Sequence, residues 1–187
     1  MENNSTNNQQ NNNYKLVRAC FDWLESIVVT FVIAIFVLAF VFRVVNVSGV
    51  SMMDTLLDKD KLIITDMFYT PHTGDIVVIS HGEKYNEPLV KRVIATEGQT
   101  LDINFQSGTV TVDGVVLDEP YIKNSTTKSG DGTIPSVIPK GYVFVMGDNR
   151  KRSLDSRSKE IGLIDKNNIL GKVQFIIYPL SRIGGVY

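Results

Sequence analysis

Ser51 and Lys91 are the residues of this chain whose types and surroundings suggest covalent chemistry. A serine hydroxyl becomes a nucleophile when a nearby base takes its proton, and a neutral lysine amine can act as that base. Gly49 permits a backbone conformation that would expose the Ser51 hydroxyl and direct backbone N–H groups at one point, as an oxyanion hole requires. On an extended strand, Lys91 shares a face with Leu89 and Val93, and burial of that face would favour the neutral amine.

Each of these features, taken alone, also has an ordinary structural interpretation. A serine beside a glycine is usually a turn residue, and a lysine in a strand usually points at solvent from the sheet edge. The segment 146–162, which reads MGDNRKRSLDSRSKEIG, alternates acids with arginines. That pattern is typical of a solvated charged loop, but it also permits a loop fixed by bidentate ion pairs between arginine and carboxylate groups.

An apolar run at 26–42, SIVVTFVIAIFVLAFVF, precedes Ser51 by only a few residues. About 17 uncharged residues make roughly 25 Å of helix, the short end of a membrane span. Arg43 can snorkel, so the valines that follow it could extend the apolar length. A buried core helix and a cleaved secretory signal are the alternatives. The run has almost no polar face, and no small-residue cleavage site closes it, so the sequence favours an uncleaved signal-anchor.

The sequence therefore predicts three parts: a disordered polar tail at 1–14, a transmembrane signal-anchor at 15–46 and a catalytic domain at 47–187. Lys15 and Arg18 lie before the run and Arg43 follows it, which favours a cytoplasmic N-terminus and an extracytoplasmic catalytic domain. Ser51 lies eight residues beyond Arg43, so it would lie within about 28 Å of the anchor's end.

Short β-branched runs bounded by Gly, Pro and Asp dominate the chain after residue 47. The sequence predicts strands at 75–79, 109–112, 115–117, 142–146 and 172–178, with a tight hairpin at Asp113-Gly114. One brief helix is expected at 165–170, with Asp165 as its N-cap and Gly171 as its stop, and 123–135 reads as an exposed loop. The predicted fold is mainly β, an antiparallel coiled or barrel-like sheet with one N-terminal transmembrane helix.

Composition narrows the possible partners. The net charge is −1, which gives no sign of a nucleic-acid partner. Cys20 is the only cysteine, so the chain cannot form an internal disulfide. No metal or cofactor is implied by the candidate residues.

Taken together, four segments resemble the type I signal peptidases, the membrane-bound serine proteases that remove signal peptides from exported proteins. These segments are SGVSMMDTL, KRVIATEG, VDGVVLDEPYI and GDNRKRSLDSRSKEIG, and their order and spacing match that family. The resemblance covers about residues 15 to 187. The short chain is similar to the form typical of Gram-positive bacteria.

The resemblance implies a role for each matching residue. Ser51 would be the nucleophile and Lys91 the general base, with Ser153 hydrogen-bonded to the lysine. The residues expected to support the site are Asp148, Arg150, Asp155, Arg157, Arg92 and Gly49. For substrate binding, we expect an extended peptide whose small side chains enter shallow apolar pockets. The candidates to line that groove are Met52, with Met53 beside it, and the strand 76–79, of which Ile76 and Val78 are chosen.

Two positions depart from the family pattern. Asp54 stands where the family usually has proline, and its charge could raise the Lys91 pKa or cap the following turn. Gly49 lies where some relatives carry a serine, so the oxyanion hole would depend on backbone N–H groups, above all that of Ser51.

The expected partners are signal peptides of preproteins, membrane lipid and the secretion translocon, at the cell membrane with a single span. Three alternatives remain. A Ser-His-Asp hydrolase would need His72 or His81, neither of which lies in a motif with a carboxylate. A self-cleaving repressor would need a DNA-binding module, which the sequence lacks. A catalytically impaired, membrane-tethered assembly factor of the pilus type is kept open by Asp54.

Overall fold

A computed structural model describes residues 3–66, 69–80 and 87–186. The chain divides into two compact units, Met1–Val41 and Phe42–Tyr187. The first is helical and the second is built mainly of strands, so the predicted fold class, mainly β with one N-terminal apolar helix, is confirmed.

The first unit is one α-helix, α1, which spans Asn3–Val41. Its stretch Lys15–Leu38 has a mean hydropathy of 2.2 and is long and apolar enough to cross a membrane, on length and composition alone. Two hydroxyls within this stretch are satisfied internally, since Ser26 and Thr30 each donate to the backbone carbonyl four residues earlier.

The bounds of α1 differ from the predicted segments at both ends. The helix begins at Asn3, inside the stretch 1–14 for which the sequence predicts a disordered tail. Extending an existing helix costs far less than starting one, so a long apolar helix can continue into polar residues. At the other end, Phe42–Asn46 forms strand β1 and is not part of the helix, because Arg43, Val44 and Val45 pair with a neighbouring strand.

The second unit contains a large and a small antiparallel sheet. The strands are β1 Phe42–Asn46, β2 Lys61–Thr65, β3 Ile76–Ile79, β4 Leu89–Thr96, β5 Leu101–Asn104, β6 Thr109–Val112, β7 Val115–Val116, β8 Tyr142–Met146, β9 Ile164–Asp165, β10 Ile169–Tyr178 and β11 Gly184–Gly185. The large sheet has the order β1-β2-β10-β3-β4-β8-β9, with β11 paired to β10, and the small sheet has the order β5-β6-β7. Every pairing is antiparallel, as predicted.

Local signals read from the sequence have mixed outcomes. Asp113 and Gly114 both have positive φ, 52° and 77°, which is the geometry of the two-residue hairpin turn predicted between β6 and β7. The brief helix is a single 3₁₀ turn, Lys166–Asn168, and the Asp165 side chain caps it by accepting from the Asn167 N–H. Gly171 does not stop that helix; it lies inside β10 at a shift of register against β3.

Strands β3 and β4 lie inside the large sheet, where each is paired with a neighbouring strand along both edges. All four residues of β3 are buried, as are six of the eight residues of β4. A side chain on β4 is therefore shielded from water unless it faces an opening in the fold.

Candidate active site

Ser51 lies in a compact turn that joins β1 to β2. The Leu56 N–H donates to the Met52 carbonyl at 2.9 Å, so the segment makes one helical turn just after the serine. Met52 and Leu56 are buried in the core and fix the turn to the body of the domain. Gly49, two residues before Ser51, has φ +90°, a conformation that favours glycine, and its N–H donates to Asp58 Oδ1 at 2.9 Å. The half-buried Ser51 hydroxyl thus sits on a firmly seated turn.

Lys91 approaches Ser51 from strand β4. Its Nζ lies 2.9 Å from Ser51 Oγ and donates to the Val90 carbonyl at 3.1 Å. Only 3% of Lys91 is exposed. The structure therefore brings together the two residues singled out from the sequence, and it places the lysine in the interior of the sheet instead of at a solvent-facing edge.

The environment of Lys91 favours its neutral form. Burial lowers the pKa of the Lys91 amine to about 8, from an ordinary value of 10.5, while the negative charges of Asp155 and Asp148 act in the opposite direction. About one tenth of the amine is then unprotonated at pH 7, compared with about one part in three thousand for an ordinary lysine. The arrangement can supply a base for Ser51 without a histidine.

The loop that follows β8 is fixed by a buried ion pair between Asp155 and Arg157. Arg157 Nε and Nη2 donate to the two Asp155 carboxylate oxygens at 2.8 and 2.7 Å. Burial alone would raise the pKa of Asp155, but the hydrogen bonds and charge of Arg157, with smaller contributions from Ser153 and the Gly147 N–H, hold that pKa below its ordinary value. The buried acids and arginines of 146–162 thus fix the loop, whereas Arg152 and Glu160 of the same segment are exposed.

A second buried ion pair joins this loop to β4. Arg92 donates to Asp148 through Nε at 2.9 Å and Nη2 at 2.8 Å, and to the Gly74 carbonyl through Nη1 at 2.8 Å. Its guanidinium also lies 3.8 Å from the centre of the Tyr121 ring. Because Arg92 is the neighbour of Lys91, this pair fixes the loop relative to the strand that carries the amine.

Arg150 forms a third buried pair, and its partner Glu119, together with Thr126 and Asn149, was not predicted from the sequence. Arg150 binds Glu119, with its Nη2 2.5 Å from Oε1, and also contacts Thr126. Asn149 donates its backbone N–H to the Ser51 carbonyl and its side-chain amide to the Val50 carbonyl, both at 3.0 Å. Glu119 lies in the segment VDGVVLDEPYI that carries part of the family resemblance, so the signal was present but its partner could not be read from the sequence.

Ser153 does not make the hydrogen bond to Lys91 that the resemblance implies. Its buried Oγ has no hydrogen-bond partner of standard geometry in the described part of the chain, although the hydroxyl contributes to the low pKa of Asp155. The side chain packs on Gly147, which also faces the Ser51 carbonyl. Ser153 thus lies beside the site, but Lys91 is oriented by Val90 and Ser51.

The residues predicted to line the substrate groove lie in the core instead. Met52 is 1% exposed, Ile76 3% and Val78 0%, and all three belong to one hydrophobic cluster. The reason is that both faces of β3 are packed: Ile76 and Val78 belong to one hydrophobic cluster, and Val77 and Ile79 belong to another. A cavity of about 410 Å³ opens instead beside the charged loop, and its lining includes Ser153, Leu154, Asp131 and Lys128.

Asp54 and the histidines lie away from the dyad chemistry. Asp54 is 66% exposed and its carboxylate lies 3.7 Å from Lys123 Nζ; the charges that raise the Lys91 pKa come from Asp155 and Asp148. His72 is exposed and lies near Asp75, with Nδ1 3.7 Å from Oδ2. Asp75 is itself bound to Tyr69 and Lys172, so this group is separate from Ser51. His81 lies outside the described residues.

Comparison with known proteins shows the family to which this chain is related. The sequence model of the family described as "Signal peptidase, peptidase S26" matches residues 20–178. Signal peptidase I of Bacillus licheniformis is 36% identical over 174 residues, which cover 87% of this chain and 91% of that protein. Signal peptidase IB of Staphylococcus aureus is 37% identical over 180 residues, covering 86% and 91%.

A solved structure of signal peptidase I from Enterococcus faecalis V583 is 26% identical and has a TM-score of 0.48; the match covers 56% of this chain and 97% of that one. The family match extends over most of the chain and includes the segments that carry Ser51, Lys91 and the charged loop. The chain therefore belongs to the signal peptidase family, peptidase S26, and is a hydrolase of peptide bonds.

Proposed function

We propose that this protein is a membrane-anchored serine endopeptidase that removes N-terminal signal peptides from exported preproteins, with Ser51 as nucleophile and Lys91 as general base. The observation that carries the proposal is the 2.9 Å approach of Lys91 Nζ to Ser51 Oγ, made by an amine that is buried in the sheet. Burial lowers the pKa of that amine to about 8, so a useful fraction is neutral near physiological pH.

In the first half of the reaction, neutral Lys91 accepts the Ser51 proton while Oγ attacks the scissile carbonyl carbon. The carbonyl oxygen becomes an oxyanion, which requires preorganised N–H donors. Within the described ranges, the Ser51 N–H donates to no protein acceptor, which supports its use as such a donor. The Lys91 ammonium then gives its proton to the departing amine, leaving an ester between Ser51 and the signal peptide.

In the second half, water hydrolyses this ester with Lys91 again acting as base. Protonation of Lys91 places a positive charge in a buried position, which is costly unless negative charge is near. Asp155 and Asp148 supply that charge, and the Val90 carbonyl accepts a hydrogen bond from the ammonium. Both carboxylates are paired with arginines, so they stabilise the ammonium only moderately and leave the amine able to lose its proton again.

The long helix would anchor the enzyme next to its substrate. Its stretch Lys15–Leu38 has the length and composition of a membrane span, and we place its N-terminus in the cytoplasm and the catalytic unit outside. Membrane lipid would surround this span, and the secretion translocon would deliver the preproteins. Because the signal segment of a preprotein also lies in the bilayer, both partners are confined to one surface, which raises their effective concentration.

The decisive test is processing of a preprotein with alanine at positions −3 and −1 by the full chain in lipid vesicles. Ser51→Ala and Lys91→Met should each reduce the cleavage rate by at least about a thousandfold, as expected when a member of a catalytic unit is removed. Ser107→Ala and Lys123→Met are matched controls at exposed positions, and both should cleave at the rate of the unmodified enzyme.

Near-normal cleavage by either dyad variant would overturn the proposed mechanism. A double variant, His72→Ala with His81→Ala, should retain full activity. His72 lies beside Asp75, and the residue in contact with Ser51 is Lys91. Loss of activity in that variant would favour a histidine-dependent hydrolase. The anchor is tested separately by alkaline extraction of membranes and by protease accessibility of the catalytic unit in intact cells.

A further inference from the structure

The turn that carries Ser51 is fixed at two ends by different parts of the chain. At its start, Asn149 binds the carbonyls of Ser51 and Val50. At its end, Arg182 donates from Nη2 to the Thr55 carbonyl at 2.9 Å. Arg182 comes from the 3₁₀ turn Leu180–Arg182, which follows β10 and lies 127 residues beyond Thr55 in sequence.

The contact with Arg182 provides a hydrogen-bond donor for a backbone carbonyl at the end of the turn. The last carbonyls of a helical turn have no partners within that turn, and a cationic side chain at this end satisfies them and matches the local dipole. The turn after Ser51 contains a single helical hydrogen bond, from the Leu56 N–H to the Met52 carbonyl. A segment this short has little stability of its own, so its position depends on contacts from outside.

Asp60 links Arg182 to the same segment. The carboxylate of Asp60, which is 1% exposed, accepts the Leu57 N–H at 2.8 Å and lies 3.2 Å from Arg182 Nη2. One guanidinium nitrogen therefore contacts both the Thr55 carbonyl and the buried carboxylate. Arg182 has two separable tasks here: it neutralises Asp60, and it holds Thr55.

Thr55 connects this end of the turn to the strand that carries the base. Its hydroxyl donates to Asp148 Oδ2 at 2.5 Å, and Asp148 forms the bidentate pair with Arg92, the neighbour of Lys91. The position of Thr55 thus affects the placement of Ser51, four residues earlier, relative to the Lys91 amine.

We propose that Arg182 is a positioning residue for the reaction: by holding the Thr55 carbonyl, it keeps Ser51 Oγ within hydrogen-bond distance of Lys91. This inference rests on the proposed Ser51–Lys91 chemistry. A displacement of reacting groups by about 1 Å can lower a rate by as much as a hundredfold. Loss of the Arg182 contact should therefore act on the chemical step and leave peptide binding nearly unchanged.

The test separates the two tasks of Arg182. In Asp60→Asn, the buried charge pair is gone, but the amide oxygen can still accept from Leu57 and Arg182 can still hold Thr55. In the double variant Asp60→Asn with Arg182→Met, the Thr55 contact is also lost, and no unpaired buried carboxylate remains to unfold the chain. Arg182→Lys, which can still donate to Thr55, tests rescue. Arg43→Met, at an exposed position on β1, is the control.

The full chain in detergent is assayed for kcat and KM on a peptide with alanine at −3 and −1, and thermal unfolding is recorded for each variant. Relative to Asp60→Asn, the double variant should lose kcat by about tenfold or more, with KM changed by less than about threefold. Arg182→Lys should retain kcat within about threefold of the unmodified enzyme, and Arg43→Met should match that enzyme.

Equal kcat in Asp60→Asn and the double variant would overturn the proposal, because the Thr55 contact would then have no catalytic effect. So would a loss confined to KM, or a failure of Arg182→Lys to rescue kcat. Failure of the proposed chemistry itself would appear differently, as activity retained in Ser51→Ala or Lys91→Met, whatever the Arg182 variants do.

Discussion

Lys91→Met should make the protein inactive and at the same time more stable. Burial lowers the pKa of the Lys91 amine to about 8 in the folded protein, whereas the unfolded chain has the ordinary value of 10.5. A difference of about 2.5 pKa units corresponds to a cost of about 3 kcal/mol for keeping this lysine in place at pH 7. Methionine fills a similar volume without a charge. Loss of the hydrogen bonds to Ser51 and Val90 would reduce this gain in stability by about 1 kcal/mol each at most.

The pH dependence of this stability difference shows whether the lowered pKa of Lys91 is its cause. Between pH 8 and 10.5, the unfolded chain binds a proton at Lys91 that the folded protein does not bind, so stability of the unmodified protein rises with pH in this window. Below pH 8 both states bind the proton and the full cost remains. The stability advantage of Lys91→Met should therefore shrink by about 2 kcal/mol between pH 7 and 9.5. Groups other than Lys91 titrate equally in both proteins and cancel in the difference.

The measurement is urea unfolding of the full chain in detergent, followed by circular dichroism, for the unmodified protein, Lys91→Met and Lys123→Met. Lys123 is 63% exposed, so its replacement should change stability little and equally at both pH values. If the difference between the unmodified protein and Lys91→Met were the same at pH 7 and pH 9.5, Lys91 would not be an amine with a lowered pKa. The electrostatic basis of the proposed mechanism would then fail.

The remaining predictions concern the same site. The kcat/KM of the unmodified enzyme should rise as pH increases and level off above about pH 8, since the neutral amine of Lys91 is the active form; a flat profile from pH 6 to 9 would contradict this. Gly147→Ala should reduce kcat by about tenfold or more, because the added methyl would collide with the Ser51 carbonyl and the Ser153 hydroxyl. An unchanged kcat would contradict this prediction and show that the loop can move aside. Asp54→Pro should change kcat/KM by less than about threefold and should not move the midpoint of its pH profile. The reason is that the Asp54 carboxylate is exposed, and the carboxylates that act on Lys91 are those of Asp155 and Asp148. A shift of that midpoint would show that Asp54 does influence the pKa of Lys91.

Several strands, and the residue types that could do chemistry at the site, could be predicted because both depend on local patterns. Alternating β-branched runs marked β6, β8 and most of β10, and the Asp113-Gly114 pair marked a hairpin turn whose backbone geometry only a few residue types adopt. Ser51 and Lys91 were recognised from the glycine before one and the apolar neighbours of the other. Their contact at 2.9 Å could be expected only from the resemblance, since the residues are forty positions apart.

What the sequence could not supply is the order of strands and the partners of charged groups. The sequence predicts Ile76 and Val78 as groove residues because nothing local reveals that both faces of β3 are covered. That cover comes from residues far along the chain, among them Val145 of β8 and Val173 of β10. In the same way, Arg150 could be recognised as a residue of a supporting loop, but its partner Glu119 depends on how distant loops meet. Charged side chains have many possible partners along the chain, and only the fold selects one.

The place of β10 between β2 and β3 has a consequence for the timing of activity during synthesis. Strands β1 and β2, with the serine turn between them, form one portion of the large sheet, and β3, β4 and β8 form another; β10 joins the two. Ribosomes make β10 after all the other strands named here, so a growing chain contains both Ser51 and Lys91 long before the strand that unites their portions of the sheet exists. Until β10 exists, the two portions share no pairing among the strands that the structure describes, so we expect the proposed Ser51–Lys91 activity to begin only after synthesis has passed Tyr178.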